Sequence, residues 1–453
     1  MRRHSAVLIT AAMVLVSLTP AVATPAVALP QVATALEHTS AKVILDWDGY
    51  AVEAVRHATT MDGVAVGMPA RPFYQTEGLL YMSYVQAAVY DAVMKIDGRY
   101  VLYHDFAAQT HGASASAAAI SAAYNTLLAY LGDPKGELKK HYDDSVAALP
   151  EEGRAAGIMV GKAASDDIVG LRANDGRNAV ITKTYGTGPL APGLWVFAPK
   201  PSLQSAQTPW VAFMKPLLLK KSSQFRLDEP PELDSRRWVT DFNEVKAYGA
   251  SASMVRSTEQ TNVAQFWNAN GINQANDTAS NVSKTHGMDL VDTARLLAMT
   301  NLVVTDALIA CFDSKYEFTF WRPVTAIQNA QIAGNPATTA DPKWTPLLLT
   351  PNHPEYPAAH GCDTAASSEV FAAVLGTRHI NIDVRGAVGG ATTLTTTRHY
   401  STVETLQTEI VNARVWAGLH YRTSGQAGVE LGRDVARWAL QRFFLPASES
   451  EEG

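Results

Sequence analysis

The chain has 453 residues, with 37 Lys and Arg against 43 Asp and Glu for a net charge of -6, and is 47% hydrophobic and 18% charged. Such a composition describes a globular protein with a substantial core, long enough for one large domain or for two to three at about 150 residues each. The acidic balance argues against nucleic acid as a partner, and two cysteines are too few for a disulfide framework.

In chain order, Arg2, Arg3 and His4 precede an apolar run from Ala6 to Val16, and Ala21-Val22-Ala23 supplies small residues for cleavage. This is the pattern of a secretory signal peptide, and it predicts an exported protein. A second cut is available after Ala28, so the leader extends over 1–28 at most. Loss of residues 1–23 removes two arginines and no acid, moving the net charge from -6 to -8. No later stretch has the uncharged apolar length of a membrane span. The richest, Leu297 to Phe312, is interrupted by Asp306 and reads as a buried helix.

Most of the remainder reads as helix from apolar positions at three- and four-residue spacing. The predicted elements are 79–96, the alanine-rich 113–131, 151–173, 288–313, 363–375, 403–419 and 425–444. Ser257 to Gln260 forms a capping box that opens another helix, expected to stop near Gly271. A short strand is expected at 178–185, "NAVITKTY". Between about 174 and 235 lies a Pro/Gly-rich stretch whose tryptophans and phenylalanines predict packing against the helices rather than a free linker. The chain thus divides into a leader over 1–28, an N-terminal helical half with the irregular region over 29–235, and a C-terminal helical half over 236–453. The expected fold is all-α, with helical bundles in two four-helix-bundle-like halves.

The chemistry concentrates in three segments of the last third. "KYEFTFWRP" sets Lys315 and Arg322 around four aromatic residues; "HPEYPAAHGC" carries His353, Ala359 and His360; "ARVWAGLHYRTS" sets Arg414 six positions before His420. Three long cations and two histidines suit a tetrahedral oxyanion, the cations balancing its charge, one nitrogen meeting its centre and another moving a proton. Pro357 is expected in the first turn of a helix running to Leu375 and stopping at Gly376, which would aim the amides of Ala359 and His360 at an anion. Arg322, held out of helix by Pro323, is expected where a helix gives way to a loop. Six positions do not place Arg414 and His420 on one helical face, so arginine's reach must close that gap. Taken singly each has an ordinary explanation: a solvated lysine, a structural ion pair, a core histidine.

These segments resemble the three signatures K-x6-R-P, P-S-G-H and S-R-x5-H-x3-D of the vanadium haloperoxidase and type 2 phosphatidic acid phosphatase superfamily, in the same order and with the same internal spacing. The flanking "TDALIACFDSKYEFTFWRPVTAI" and "TPNHPEYPAAHG", with "AVYDAVMKIDGRY" at 88–100, resemble its bacterial haloperoxidase-like branch. The resemblance implies a vanadate cofactor, with His420 as the ligand to vanadium and Lys315, Arg322 and Arg414 neutralising the oxygens. Ala359 would contribute its amide, and His360 would be the acid–base group. His353 is either a turn residue or, as in the bromoperoxidase branch, a histidine near the vanadate.

The implied activity is halide oxidation by hydrogen peroxide, with an organic acceptor, in a protein with no transmembrane span after the leader. The alternative within the same fold is an acid phosphatase on phosphate esters, with phosphate in the pocket and His420 as nucleophile. A third is an exported oxyanion-binding protein without turnover. Four positions depart from the signatures: Ala358 and Ala359 replace the motif serine and glycine, Ala413 precedes Arg414, and Ser424 stands where an aspartate is expected. Loss of that aspartate is expected to weaken the orientation of His420, which tilts the reading toward the peroxidase. Cys311 and Cys362 either pair or are small buried residues.

Overall fold

In the computed structural model, residues 40–58, 73–197, 206–387 and 394–447 are described; the leader expected over 1–28 lies outside them. Among the described residues thirteen α-helices carry the fold, with one two-stranded antiparallel hairpin. The N-terminal helices are α1 (Lys42–His57), α2 (Gln75–Asp97), α3 (Ala115–Leu131), α4 (Glu137–Ala147) and α5 (Arg154–Leu171). Then come α6 (Arg236–Tyr248), α7 (Thr258–Phe266), α8 (Gly271–Thr285), α9 (Leu290–Phe318) and the short α10 (Pro323–Gln328). The last elements are α11 (Ala359–Leu375), β1 (Ile382–Gly386), β2 (Thr396–Tyr400), α12 (Val403–Trp416) and α13 (Arg422–Leu440).

The central element is α9. Its 29 residues start at Asp289, whose side chain accepts from the Asp292 amide, and span about 44 Å at 1.5 Å per residue. It packs against α2, α8, α11 and α13. By length and apolarity it is the one described helix that could cross a membrane, but its apolar window is wholly buried inside the protein. Asp306 is reconciled with that burial by the backbone amides of Leu217, Leu218 and Leu219, each donating to its carboxylate at 2.7 Å.

The helix outlasts its expected end at 313 and carries Lys315 in its final turn. It stops at Thr319, whose φ of 46° lies in the left-handed region that a β-branched residue enters only when its surroundings hold it there. The Thr319 carbonyl accepts from the Trp195 amide at 2.7 Å, so the irregular stretch before α6 pins this reversal. Arg322 then sits as the extended cap of α10 with Pro323 behind it, between two helices as expected.

Two expectations, one in the irregular region and one after α6, come out differently. No strand forms at 178–185: Asn178 is left-handed, Val180 is 87% exposed, and no neighbouring segment pairs with it. Alternation alone cannot make a strand without a ladder partner. The tryptophans of the region do pack, Trp195 and Trp210 both being buried. The capping box at Ser257 forms, but its helix ends at Phe266 and Asn270 caps a new one at Gly271.

Residue Gly418 decides the end of α12. Its φ is 77°, and a Cβ there would meet Pro346 at 2.8 Å, so the helix expected to reach 419 stops at Trp416. The chain then folds back, with the Leu419 and His420 amides donating to the Arg414 carbonyl at 3.2 and 3.4 Å.

Candidate functional site

The three segments meet at the C-terminal ends of α9 and α12 and the N-terminal ends of α10, α11 and α13. Beneath them lies an aromatic cluster of Trp238, Phe242, Phe320, Trp321, Tyr356 and Tyr421. This is where Phe320 and Trp321 of "KYEFTFWRP" go, with Phe318 at the edge, while Tyr316 packs in the main core against Phe312 and Tyr185. Trp321 stacks on Trp238 at 5.9 Å and Phe320 meets Tyr421 edge-on at 5.9 Å, contacts worth roughly 0.5–1.5 kcal/mol each beyond their burial. The cluster holds the backbone of Arg322 and Tyr421 rigid while their neighbours turn the other way into the site.

All three cations are buried, Lys315 and Arg322 fully and Arg414 at 2% exposure. Lys315 spends its three protons on the carbonyls of Pro354 (3.0 Å), Glu355 (2.9 Å) and Pro357. It therefore ties down the 353–358 loop and supplies charge to the site rather than a free donor. Arg322 donates from Nε to the His353 carbonyl (3.0 Å), from Nη1 to the Leu419 carbonyl (3.0 Å) and His420 Nε2 (3.1 Å), and from Nη2 to the His353 ring. Arg414 is different. One Nη1 proton goes to the Trp267 carbonyl at 3.2 Å, while its buried Nε has no partner among the described residues.

The start of α11 corrects one expectation. The Tyr356–Pro357 bond is cis, and the helix begins at Ala359, not at Pro357. Ala358 is its extended cap, fixed by its amide donating to the Ser424 carbonyl at 2.9 Å. Alanine has no side-chain acceptor, so the first amides, Ala359 and His360, are left uncapped. With Arg414, His353, His420 and Asp363 they face a cavity of about 90 Å³.

His420 is held more firmly than its motif suggests. Its Nδ1 lies 2.8 Å from Glu355 Oε1, which also accepts from the Tyr421 amide at 3.0 Å; Glu355 Oε2 accepts from Ser424 Oγ at 2.7 Å. A carboxylate is thus present, supplied by "HPEYP" rather than by the position of Ser424, and Ser424 orients it. The expectation that His420 loses its orienting group is wrong for this reason. Glu355 was missed although an acid between two prolines in an apolar loop was visible. Its partner is 65 residues away. His353 belongs to the site too, held between Arg322 and the Phe312 ring.

Burial dominates the electrostatics. It lowers Lys315 to about 8 and Arg322 and Arg414 to about 10, the Arg322 charge adding to the effect at Lys315 and Arg414. The same burial, reinforced by the cations, pushes His353, His360 and His420 well below the usual histidine range, so all three are neutral. It raises Glu355 to about 7 and Asp363 to about 6. None of the three cations has an ion-pair partner among the described residues. Buried, unpaired positive charge is costly, and an anion among them would offset that cost. The orphaned Arg414 Nε, the uncapped α11 amides and the excess positive charge fit a tetrahedral oxyanion. With Nδ1–H donated to Glu355, the lone pair of His420 is on Nε2, the nitrogen on the cation side. Cys311 and Cys362 are free, buried thiols beneath this loop.

Residues 295–446 match the family described as the VCPO second helical-bundle domain. The fold is similar to that of a bacterial vanadium-dependent iodoperoxidase, with a TM-score of 0.75 and 18% identity over 91% of this chain and 98% of that one. It is also similar to a bacterial vanadium-dependent chloroperoxidase in its holo form (TM-score 0.65, 18% identity, 81% and 92% coverage) and apo form (0.64, 18%, 82% and 95%). No curated protein sequence matches the chain. Residues 295–446 thus carry the match to the second helical-bundle domain, on an all-α fold that the chain shares with these peroxidases over most of its length.

Proposed function

We propose that the protein is an exported, vanadate-dependent haloperoxidase-like enzyme that oxidises halide with hydrogen peroxide. The observation that carries this reading is His420, a neutral imidazole with Nδ1 anchored on Glu355 and Nε2 turned toward three buried cations. Vanadate bound there would supply Lewis-acid activation of peroxide without a change of metal oxidation state. His420 Nε2 would be its protein ligand, exchanging the Arg322 donor for it. Arg414 Nε and the amides of Ala359 and His360 would donate to the oxyanion, while Lys315 and Arg322 balance its charge through the loop they hold. The His360 ring makes no hydrogen bond among the described residues, and burial keeps it neutral. It is the group free to take a proton from an incoming peroxide and to return it. The fold of the bacterial iodo- and chloroperoxidases supports the reading.

One observation favours a second reading. The Glu355–His420–Ser424 arrangement is also what a nucleophilic histidine needs, which supports an acid phosphatase working through a phosphohistidine. A single comparison separates the two: peroxide-dependent bromination and phosphate-ester hydrolysis, each with and without added orthovanadate. Vanadate should switch on bromination; hydrolysis that vanadate inhibits, with no bromination, overturns the peroxidase reading.

A further inference from the structure

Halide oxidation consumes a proton that the site described above does not supply. One halide, one hydrogen peroxide and one proton give one hypohalous acid and one water. The O–O bond breaks, halide gives an electron pair to oxygen, and the hydroxide left over takes the proton. His360 only returns what it has taken from peroxide. The proton consumed in each turnover must therefore enter from outside the oxyanion cavity, against Arg414, Lys315 and Arg322, which disfavour positive charge on His360.

One acid is placed to bring it in. Asp363 follows His360 by three positions on α11, so the two side chains leave the same face of the helix. Both line the oxyanion cavity and a second, adjoining space of about 50 Å³, and Asp363 is the only acid among the described residues that line either. Glu355 is no substitute, because its two oxygens already accept from His420, Tyr421 and Ser424. Asp363 forms no ion pair among the described residues, and the one side chain that donates to it is Thr364, from Oγ1 at 3.1 Å. Beside it, Gln274 and Thr278 of α8 and Thr364 and Ser367 of α11 bring polar groups to the second space. A volume of that size with those partners suits a few water molecules, each needing roughly 10–15 Å³, and nothing larger.

We propose that Asp363 is a proton relay to His360, taking a proton from water in the second space and passing it through water to the imidazole. It acts through His360 and does not touch the reacting atoms. The other titratable groups on these walls are Arg414, His353 and His420, while α2, α8, α9 and β1 bring only uncharged side chains. Burial raises the Asp363 carboxyl to about 6 against the pull of Arg414, so it exchanges a proton close to neutral pH. The need for a relay rests on the peroxidase reading; the pairing of Asp363 with His360 does not.

The test joins ring-nitrogen NMR of the vanadate-free, histidine-labelled protein to the pH profile of bromination in the vanadate-loaded one. His360→Gln identifies the His360 resonances. In the wild type they should shift as pH passes through about 6, where Asp363 titrates, and in Asp363→Asn they should stay flat across that range. Thr364→Val takes a donor from the carboxylate and should move the response to higher pH, which keeps the test open if Asp363→Asn does not fold. With orthovanadate, Asp363→Asn should lower kcat for bromination roughly tenfold or more at about pH 5. The loss should shrink toward about pH 8, where the wild-type carboxylate has no proton to give. Orthovanadate affinity should not weaken, since a negative charge has left its surroundings. The same His360 response in wild type and Asp363→Asn overturns the relay, whatever the bromination assay gives, and so does an unchanged pH profile of kcat. A His360 response that follows Asp363 in a wild type that does not brominate upholds the pairing and overturns the peroxidase reading instead.

Discussion

Glu355 and His420 show how much a single residue's role depends on its partners. Replacing His420 by Ala removes the side-chain nitrogen that the proposed function gives to vanadium, while the three cations remain. Orthovanadate binding should therefore weaken but persist, and halide oxidation at saturating vanadate should vanish. Unchanged turnover in that variant would end the assignment of His420. Glu355→Gln keeps the shape and one acceptor but removes the charge that fixes the His420 tautomer. Losses of such partners typically run about 10–100-fold, so orthovanadate affinity, followed by titration, should fall by that order. Ser424→Ala removes a single hydrogen bond to Glu355 and should cost only about 1 kcal/mol in the same titration. If the Gln variant binds like wild type, Glu355 is only a buried acid that happens to be near.

At the scale of elements, the site exists because α11 and α13 approach unusually closely. Gly361, Gly425, Gly428 and Gly432 line their contact. A Cβ at Gly428 would meet the Ala358 carbonyl at 2.5 Å, and one at Gly361 the Gly425 carbonyl at 2.7 Å. Both obstacles are backbone, so neither can rotate away. Gly428→Ala must push α13 off the cap of α11, which also disturbs the Ala358–Ser424 bond that fixes the first amides. We expect a loss of about 3 kcal/mol or more in chemical denaturation, beyond the usual 1–3 kcal/mol of overpacking. Orthovanadate affinity should fall with it. A variant as stable as wild type would show that the helices can separate without consequence.

At the scale of the whole molecule, buried acids join helices distant in sequence. Asp48 on α1 accepts from Gln86 on α2 (2.9 Å) and Ser280 on α8 (3.1 Å), and burial raises it to about 7 from 3.8. Because its folded value is the higher one, its contribution is fully present below about pH 4 and is lost as pH rises through 7. Asp48→Asn keeps the shape and does not titrate. Its stability relative to wild type should therefore be on the order of 2–3 kcal/mol more favourable at pH 8 than at pH 5. Denaturation curves at the two pH values decide this, and a pH-independent difference would show that Asp48 is not the titrating group.

From sequence alone came the helical class, most helices of the second half, and the three segments that meet at the site. These follow from local causes: apolar spacing, a cap such as Ser257, and motif spacing carried within one segment. Short-range pattern could not supply what depends on distant partners. Thr319 ends α9 because Trp195 holds its carbonyl, Gly418 turns left-handed after α12 where Gly249 and Pro346 leave no room for a Cβ, and 178–185 is no strand because nothing pairs with it. Nor could the sequence show that Lys315 spends its donors on the loop, or that Glu355 replaces the expected aspartate. Both depend on carbonyls, amides and rings brought together across 39 to 69 residues. Composition and spacing determined which charges the protein owns; only packing decided which are already satisfied and which, like Arg414 Nε, are left for a ligand.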